Sequence, residues 1–166
     1  MSQDFEELLA SLNAKKVRYL IGGAHALAYH ARPRATKDLD LFVAPTRANA
    51  ERFIKALSDF FGGAPPSYVS VKALLDPTLI IQLGVAPVRV AVLSHFGTLT
   101  FTEAWRTRVD AKFGAVDAHY PGRDQLIAEK IFFDRPQDRA DVAALRAKAP
   151  RAQRATSRSP RRRRHG

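Results

Sequence analysis

The sequence predicts an α/β (α+β) fold: a small mixed β-sheet flanked by helices, followed by a disordered basic tail. Three observations predict it. A strand-like run at residues 16–21 enters Gly22-Gly23 and continues as a stretch with helical spacing. The segment Asp38-Leu39-Asp40-Leu41-Phe42-Val43 alternates polar and apolar residues, then ends in β-favouring ones. Beyond it, helix-period segments and short β-branched runs follow one another to about residue 148, with no internal repeat and no second-domain boundary.

The elements can be justified in chain order. Residues 4–13 read as an amphipathic helix with Phe5, Leu8, Leu9 and Leu12 on one face. After the glycine-turn strand, its helix and the carboxylate strand, Thr46 is placed to cap a helix running to about Phe61. In that helix Ala50, Phe53, Ile54, Leu57 and Phe61 recur at helical spacing, so its aromatics are expected in the core. Gly62-Gly63-Ala64-Pro65-Pro66 is a loop, and Ser70 starts a short turn of helix. Residues 78–83 and 88–93 resemble strands joined across Gly84-Val85-Ala86-Pro87. Residues 102–109 can be helical with Trp105 packed inward. A short strand near 116–119 precedes a helix at 123–133, and Pro136 separates that from a last helix ending near Lys148.

Composition bounds the class. A chain of 166 residues with 46 % hydrophobic content suits one globular domain, placed at 1–148, and a tail at 149–166. With no cysteine there is no disulfide or thiol chemistry, which suits a cytoplasmic location. Apolar runs stop far short of the roughly 18 residues of a membrane span, and the acidic start is unlike a signal peptide. The net charge of +11 is mostly a tail property, since residues 148–166 hold eight Lys or Arg and no acid. That segment repels itself and lacks apolar residues, so disorder is expected. It would attract RNA or DNA phosphates without sequence preference, or serve only to solubilise the chain.

The chemistry sits in the first block. Residues two apart on a strand share a face, about 6.6 Å apart at the backbone. Asp38 and Asp40 can thus converge on cations about 3.5–4 Å apart, the arrangement that clamps both oxygens of an in-line phosphoryl displacement. At about 4 Å and an effective dielectric of about 20, the bare pair would repel by about 4 kcal/mol, so a partly buried pair needs Mg²⁺, a basic neighbour or a raised pKa. The bland alternative is one Asp starting a strand and the other facing solvent. Fourteen residues earlier, Gly22 and Gly23 let the backbone approach a phosphate closely at the start of a helix, whose exposed amides favour an anion. In the linker, Arg34 or Lys37 could bind a triphosphate and Thr36 could donate a hydrogen bond, or the same residues form a solvated turn that neutralises the acids. His25, His30 and His95 lack the spacing of a zinc site.

The run "YLIGGAHALAYHARPRATKDLDLFV" resembles the signature of the polymerase-beta-like nucleotidyltransferase superfamily, and within it the bacterial branch of minimal nucleotidyltransferases and AbiEii-type toxins. "VRVAVLSHFGTLTFTEAWRTRV" and "RDQLIAEKIFFDRPQDRADVAAL" resemble its later core strand and closing helices, so the resemblance spans roughly residues 17–145. It implies that Gly22 and Gly23 hold nucleotide phosphates and that Asp38 and Asp40 hold two Mg²⁺ ions. A third carboxylate is expected on the next core strand. This chain instead reads Arg89-Val90-Ala91-Val92-Leu93 there. Loss of such a group typically costs on the order of 10²–10⁴ in rate. Toxin-like members rely on a later lysine and aspartate, for which Lys130 and Asp138 or Asp141 are the matching positions. Read without the resemblance, Lys130 is a solvated helix lysine and Asp138 a helix-start acid.

The implied reaction moves a nucleoside monophosphate from a nucleoside triphosphate to a hydroxyl of RNA, particularly a tRNA end, or of a protein. A toxin role would add a cognate antitoxin as partner; no membrane is involved. The alternative is a catalytically impaired nucleotide- or RNA-binding module, with Ala91 as its mark.

Overall fold

The structure is a computed structural model and describes residues 3–85 and 88–148. The expected tail at 149–166 lies outside the described residues. The elements are α1 (Gln3–Ala14), β1 (Tyr19–Ile21), α2 (Gly23–His30), β2 (Asp38–Val43), α3 (Arg47–Phe61), α4 (Val71–Leu75), β3 (Ile81–Leu83), β4 (Arg89–Leu93), α5 (Phe101–Arg106), β5 (Val109–Phe113), β6 (Val116–Tyr120), α6 (Arg123–Phe133) and α7 (Pro136–Ala147).

Four strands form a mixed sheet in the order β1-β2-β4-β3, and β5 and β6 form a separate two-stranded hairpin. β1 runs antiparallel to β2, β2 parallel to β4, and β4 antiparallel to β3. The period of two is legible in β2, β3 and β4, while β1 is buried throughout and Phe42 is buried as well. Leu39, Leu41 and Val43 of β2 are buried, as are Val90 and Val92 of β4 and Ile81 and Leu83 of β3. They join Phe5, Leu8, Leu9 and Leu12 of α1 and Phe53 and Leu57 of α3 in one core cluster. The opposite face carries Asp38 and Asp40 on β2, with Arg89 and Ala91 as their register partners on β4.

Local chemistry sets the helix limits. Thr46 caps α3, its Oγ1 accepting from the Asn49 N–H at 3.2 Å, and Gly62 ends the helix in the left-handed conformation. Ser70 caps α4 in the same way, accepting from Ala73 at 3.1 Å. Asn49 is buried and fully used. Its amide donates to the carbonyls of Arg18 and Ala44, both at 3.1 Å, while its oxygen accepts from the Arg18 N–H at 2.8 Å. The start of β1 is thereby tied to α3.

Four sequence expectations need correction. The first strand is only Tyr19–Ile21, because Lys16 adopts a left-handed turn with φ of 56° that closes α1. The strand expected from residue 78 begins at Ile81, since Asp76 and Thr78 are bonded to each other in a turn. The helix expected to reach Val109 stops at Arg106, and Val109 opens β5, which pairs with β6. Phe61 is 46 % exposed, because it closes the last turn of α3 beyond the buried stripe. Among the described residues, no helix is long and apolar enough to cross a membrane.

Candidate functional site

The site grows from the junction of β1 and α2. The Gly22 N–H donates to the Asp40 carbonyl at 2.9 Å, which holds the diglycine bend against β2. Gly23 has a φ of +56°, and a Cβ there would lie 1.9 Å from Asp40 Oδ2. Only glycine lets the Asp40 carboxylate rest against the backbone at that point. A Cβ on Gly22 would meet the Phe42 ring at 2.5 Å, so packing against a ring requires that glycine, whereas at Gly23 the conflict is with the rotatable end of Asp40. The first helical acceptor of α2 is the Gly22 carbonyl, bonded by Ala26. The amides of Gly23, Ala24 and His25 therefore precede the helical ladder and face outward from its start.

Asp38 and Asp40 share one face of β2, as period two requires. Their surroundings differ. Asp38 is half exposed and meets Arg89, its register partner, with Nε 3.3 Å from Oδ1. Asp40 is deeper. Burial pushes its carboxyl above the ordinary carboxylate range and Asp38 adds to the shift, while Arg135, Lys130 and Arg34 oppose it. The residue level with Asp40 on the parallel neighbour is Ala91, so no acid stands beside it on that strand.

Under this face, α6 and α7 supply a buried charge network. Lys130 is 3 % exposed, which rules out a solvated helix lysine. Its Nζ lies 2.9 Å from Asp141 Oδ2 and 3.6 Å from Asp138 Oδ1. Arg34 Nη1 reaches the same Asp141 oxygen at 2.9 Å, and Arg135 Nε reaches Asp138 Oδ2 at 2.6 Å. Two aspartates therefore sit among three cations, leaving positive charge next to Asp40. Asp138 also accepts from the Arg135 N–H at 3.1 Å, so it caps α7 and pairs with Lys130 at once. Burial pushes its carboxyl up, but the bonds from Arg135 outweigh that and hold it below the usual range.

Of the remaining linker residues, Thr36 Oγ1 accepts from the Asp38 N–H at 3.1 Å and donates to the Asp38 carbonyl at 3.2 Å, pinning the start of β2. Lys37 is exposed and has no ion pair among the described residues. Arg34 neutralises Asp141 rather than the carboxylate pair, a task that Arg89 performs at Asp38.

Glu129 was not singled out by sequence. It is buried on α6, and burial raises its carboxyl to about 7, with Lys130 opposing and Asp138 adding. Its only sequence signal is adjacency to Lys130. Arg89 was equally silent, because its place beside Asp38 follows from strand register.

The donor set can be tested against Mg²⁺. Among the described residues, no group of three His, Cys, Asp or Glu side chains is arranged to hold a metal ion. Mg²⁺, however, usually takes one or two carboxylates and completes its shell with water and substrate phosphates. Asp38 and Asp40 fit that requirement for one ion.

This topology is shared with a solved structure. The crystal structure of an antigenic nucleotidyltransferase-like protein from Paracoccidioides brasiliensis superposes with a TM-score of 0.53 at 15 % identity, covering 93 % of this chain and 81 % of that one. The chain has a nucleotidyltransferase-like fold. No family model matches the sequence, and no curated protein matches it. On the nucleotidyltransferase-like fold, the diglycine bend, the β2 carboxylates and the α6–α7 charge network occupy one contiguous region, linked through Asp40.

Proposed function

We propose that this protein binds the triphosphate of a nucleoside triphosphate between the Gly22-Gly23 bend and the Asp38–Asp40 face, and transfers the nucleoside monophosphate to a hydroxyl. The observation that carries this reading is the seat of the Asp40 carboxylate on Gly23, where any Cβ would stand 1.9 Å from Oδ2. A carboxylate held there lies beside the open amides at the start of α2, so a cation-bound phosphate meets both.

In the reaction, an acceptor oxygen bonds to the α-phosphorus, the bond from that phosphorus to the bridging oxygen of the β-phosphate breaks, and pyrophosphate leaves. The acceptor proton passes to water. Mg²⁺, held by Asp38 and Asp40, would supply charge neutralisation at the phosphates. The chain's own residues align the substrate. Gly23 admits close approach, the α2 amides donate to phosphate oxygens, and Lys37 adds positive charge at the entrance, while Arg34 stays with Asp141 in the network beneath. Lys130, held by Asp138 and Asp141, keeps the floor of the site positive without leaving its partners. RNA, including a tRNA end, and a protein side chain are the acceptor classes. The toxin–antitoxin assignment, with its antitoxin partner, is supported by the sequence resemblance alone.

Ala91 beside Asp40, together with Arg89 on Asp38, favours a second reading: a module that binds nucleotide or RNA without chemistry. One assay separates the two. Labelled nucleotide is incubated with Mg²⁺ and total RNA or protein acceptors; label incorporation that disappears in Asp38→Ala supports transfer. Mg²⁺-dependent nucleotide binding with no incorporation into either acceptor refutes transfer and supports the module. If Ala91→Asp then confers incorporation, the missing carboxylate is the cause.

A further inference from the structure

A second cavity lies at the other end of β1. It measures about 360 Å³ and is lined by Asn13, Lys16, Arg18, Trp105, Asp117 and His119. Arg18 and Gly22 are four residues apart, roughly 13 Å along an extended backbone, so this cavity is separate from the carboxylate site.

Its charge is asymmetric. Each acid around it already has a basic partner: Asp117 meets Lys112 at 2.5 Å, and Asp110 takes Arg108 at 2.9 Å and His119 at 2.6 Å. Lys16 and Arg18 are exposed, and neither has an ion pair among the described residues. Lys16 holds its place in a left-handed conformation, which is uncommon for any residue with a Cβ. The Arg18 main chain is fixed on both sides by Asn49.

The wall between these cations is aromatic. Trp105 is half buried: Phe101 stacks on it at 5.6 Å, the Arg108 guanidinium lies 3.9 Å and that of Arg18 5.8 Å from its ring centre, so a base would meet the part of the ring that these neighbours leave exposed. The His119 ring meets it edge-on at 5.1 Å. Asn13 lines the cavity and is held from the core side by the Tyr19 hydroxyl, which donates to its Oδ1 at 3.0 Å. Unpaired cations beside an anchored aromatic ring form the combination that grips single-stranded nucleic acid: charge follows the backbone, and the ring contacts a base without reading its identity.

We propose that the Lys16–Arg18–Trp105 cavity is a binding site for a segment of single-stranded nucleic acid, with Trp105 contacting a base and Lys16 and Arg18 contacting phosphates. The site does not require the transfer reading, because it would serve a catalyst or a binding module alike.

Trp105 is the only tryptophan in the chain, so its emission reports on this cavity alone. The test titrates the full chain with short single-stranded oligoadenylate while following tryptophan fluorescence, at several salt concentrations. Saturable quenching is expected. The variant Lys16→Gln/Arg18→Gln should bind at least tenfold more weakly by this readout, and its salt slope should fall by about 1.4, at about 0.7 per lost phosphate contact. Asp38→Ala should leave the quenching intact, which keeps this result independent of the carboxylate site. Three outcomes overturn the proposal: RNA binding seen by anisotropy with no change in Trp105 emission, equal quenching by inorganic triphosphate, or equal quenching by polyglutamate.

Discussion

Lys130 and Asp141 form a buried ion pair at 2.9 Å between α6 and α7, and Arg34 from the linker before β2 joins the same carboxylate oxygen. Three separate chain segments thus meet on one oxygen. Both partners are almost fully buried, so the pair exists in a medium where an uncompensated charge is costly.

Removing the lysine should therefore hurt. Lys130→Met leaves Asp138 and Asp141 without their shared partner, and breaking a buried pair from one side typically costs about 3–5 kcal/mol. Urea unfolding would measure it. A loss under about 1 kcal/mol, the scale of an exposed pair, would show that the network is solvated and contributes little.

Gly23→Ala and Gly62→Ala form an internal control. Both positions have positive φ, at 56° and 68°, and an L-residue there costs roughly 1–2 kcal/mol. The added methyl meets nothing at Gly62 but overlaps the Asp40 carboxylate at Gly23. Because a carboxylate end can rotate away, the two variants should lose similar thermal stability. Only Gly23→Ala should lose Mg²⁺-dependent nucleotide binding, by calorimetry; equal binding in both variants would remove Gly23 from the site.

Glu129 should leave a pH signature. Its folded pKa of about 7 lies above the unfolded value of 4.5, so the folded state holds the proton more tightly. The contribution of this group is fully present below about pH 4.5 and is lost as pH rises to about 7. Asp40, also raised, adds a change of the same sign. Glu129→Gln keeps the shape and removes the ionisation, so it should be more stable than wild type at pH 8 by about 1–3 kcal/mol and nearly equal at pH 4.5. A constant difference across that window would contradict the raised pKa.

The legible and illegible parts of this fold divide by range. α3 could be bounded at both ends because its signals are local: a threonine whose side chain caps, and a glycine that takes the left-handed turn. The shared face of Asp38 and Asp40 followed from strand period. β5 escapes the sequence reading although Val109-Asp110-Ala111-Lys112-Phe113 alternates apolar and charged residues, because its first residue reads as the end of the preceding helix and its order comes from pairing with β6. The setting of Asp38 was likewise hidden. That Arg89 touches it, and that Ala91 stands level with Asp40, depends on the register of two parallel strands separated by some fifty residues. Lys130 was singled out through a sequence resemblance, yet only packing reveals that it is buried between two aspartates.

Arg89 should modulate cation binding weakly. Its pair with Asp38 is solvent-exposed on both sides, a class worth about 0.2–1 kcal/mol. Arg89→Gln should thus raise Mg²⁺ affinity by no more than about fivefold, since about 1.4 kcal/mol is tenfold. Isothermal titration would read this directly. Weaker binding in the variant would mean that Arg89 supports the ion's phosphate partner instead of competing for Asp38.

The attachment of α7 has a mechanical consequence. That helix is fastened by Asp138 and Asp141 at its start, by the Leu145 carbonyl under Arg123, and by Lys148 Nζ on the Ala31 carbonyl at 2.7 Å. Any force applied to the arginine-rich residues beyond 148 is borne first by these anchors. The same helix therefore carries both the fastenings nearest residue 148 and the aspartates that hold Lys130 beneath the carboxylates.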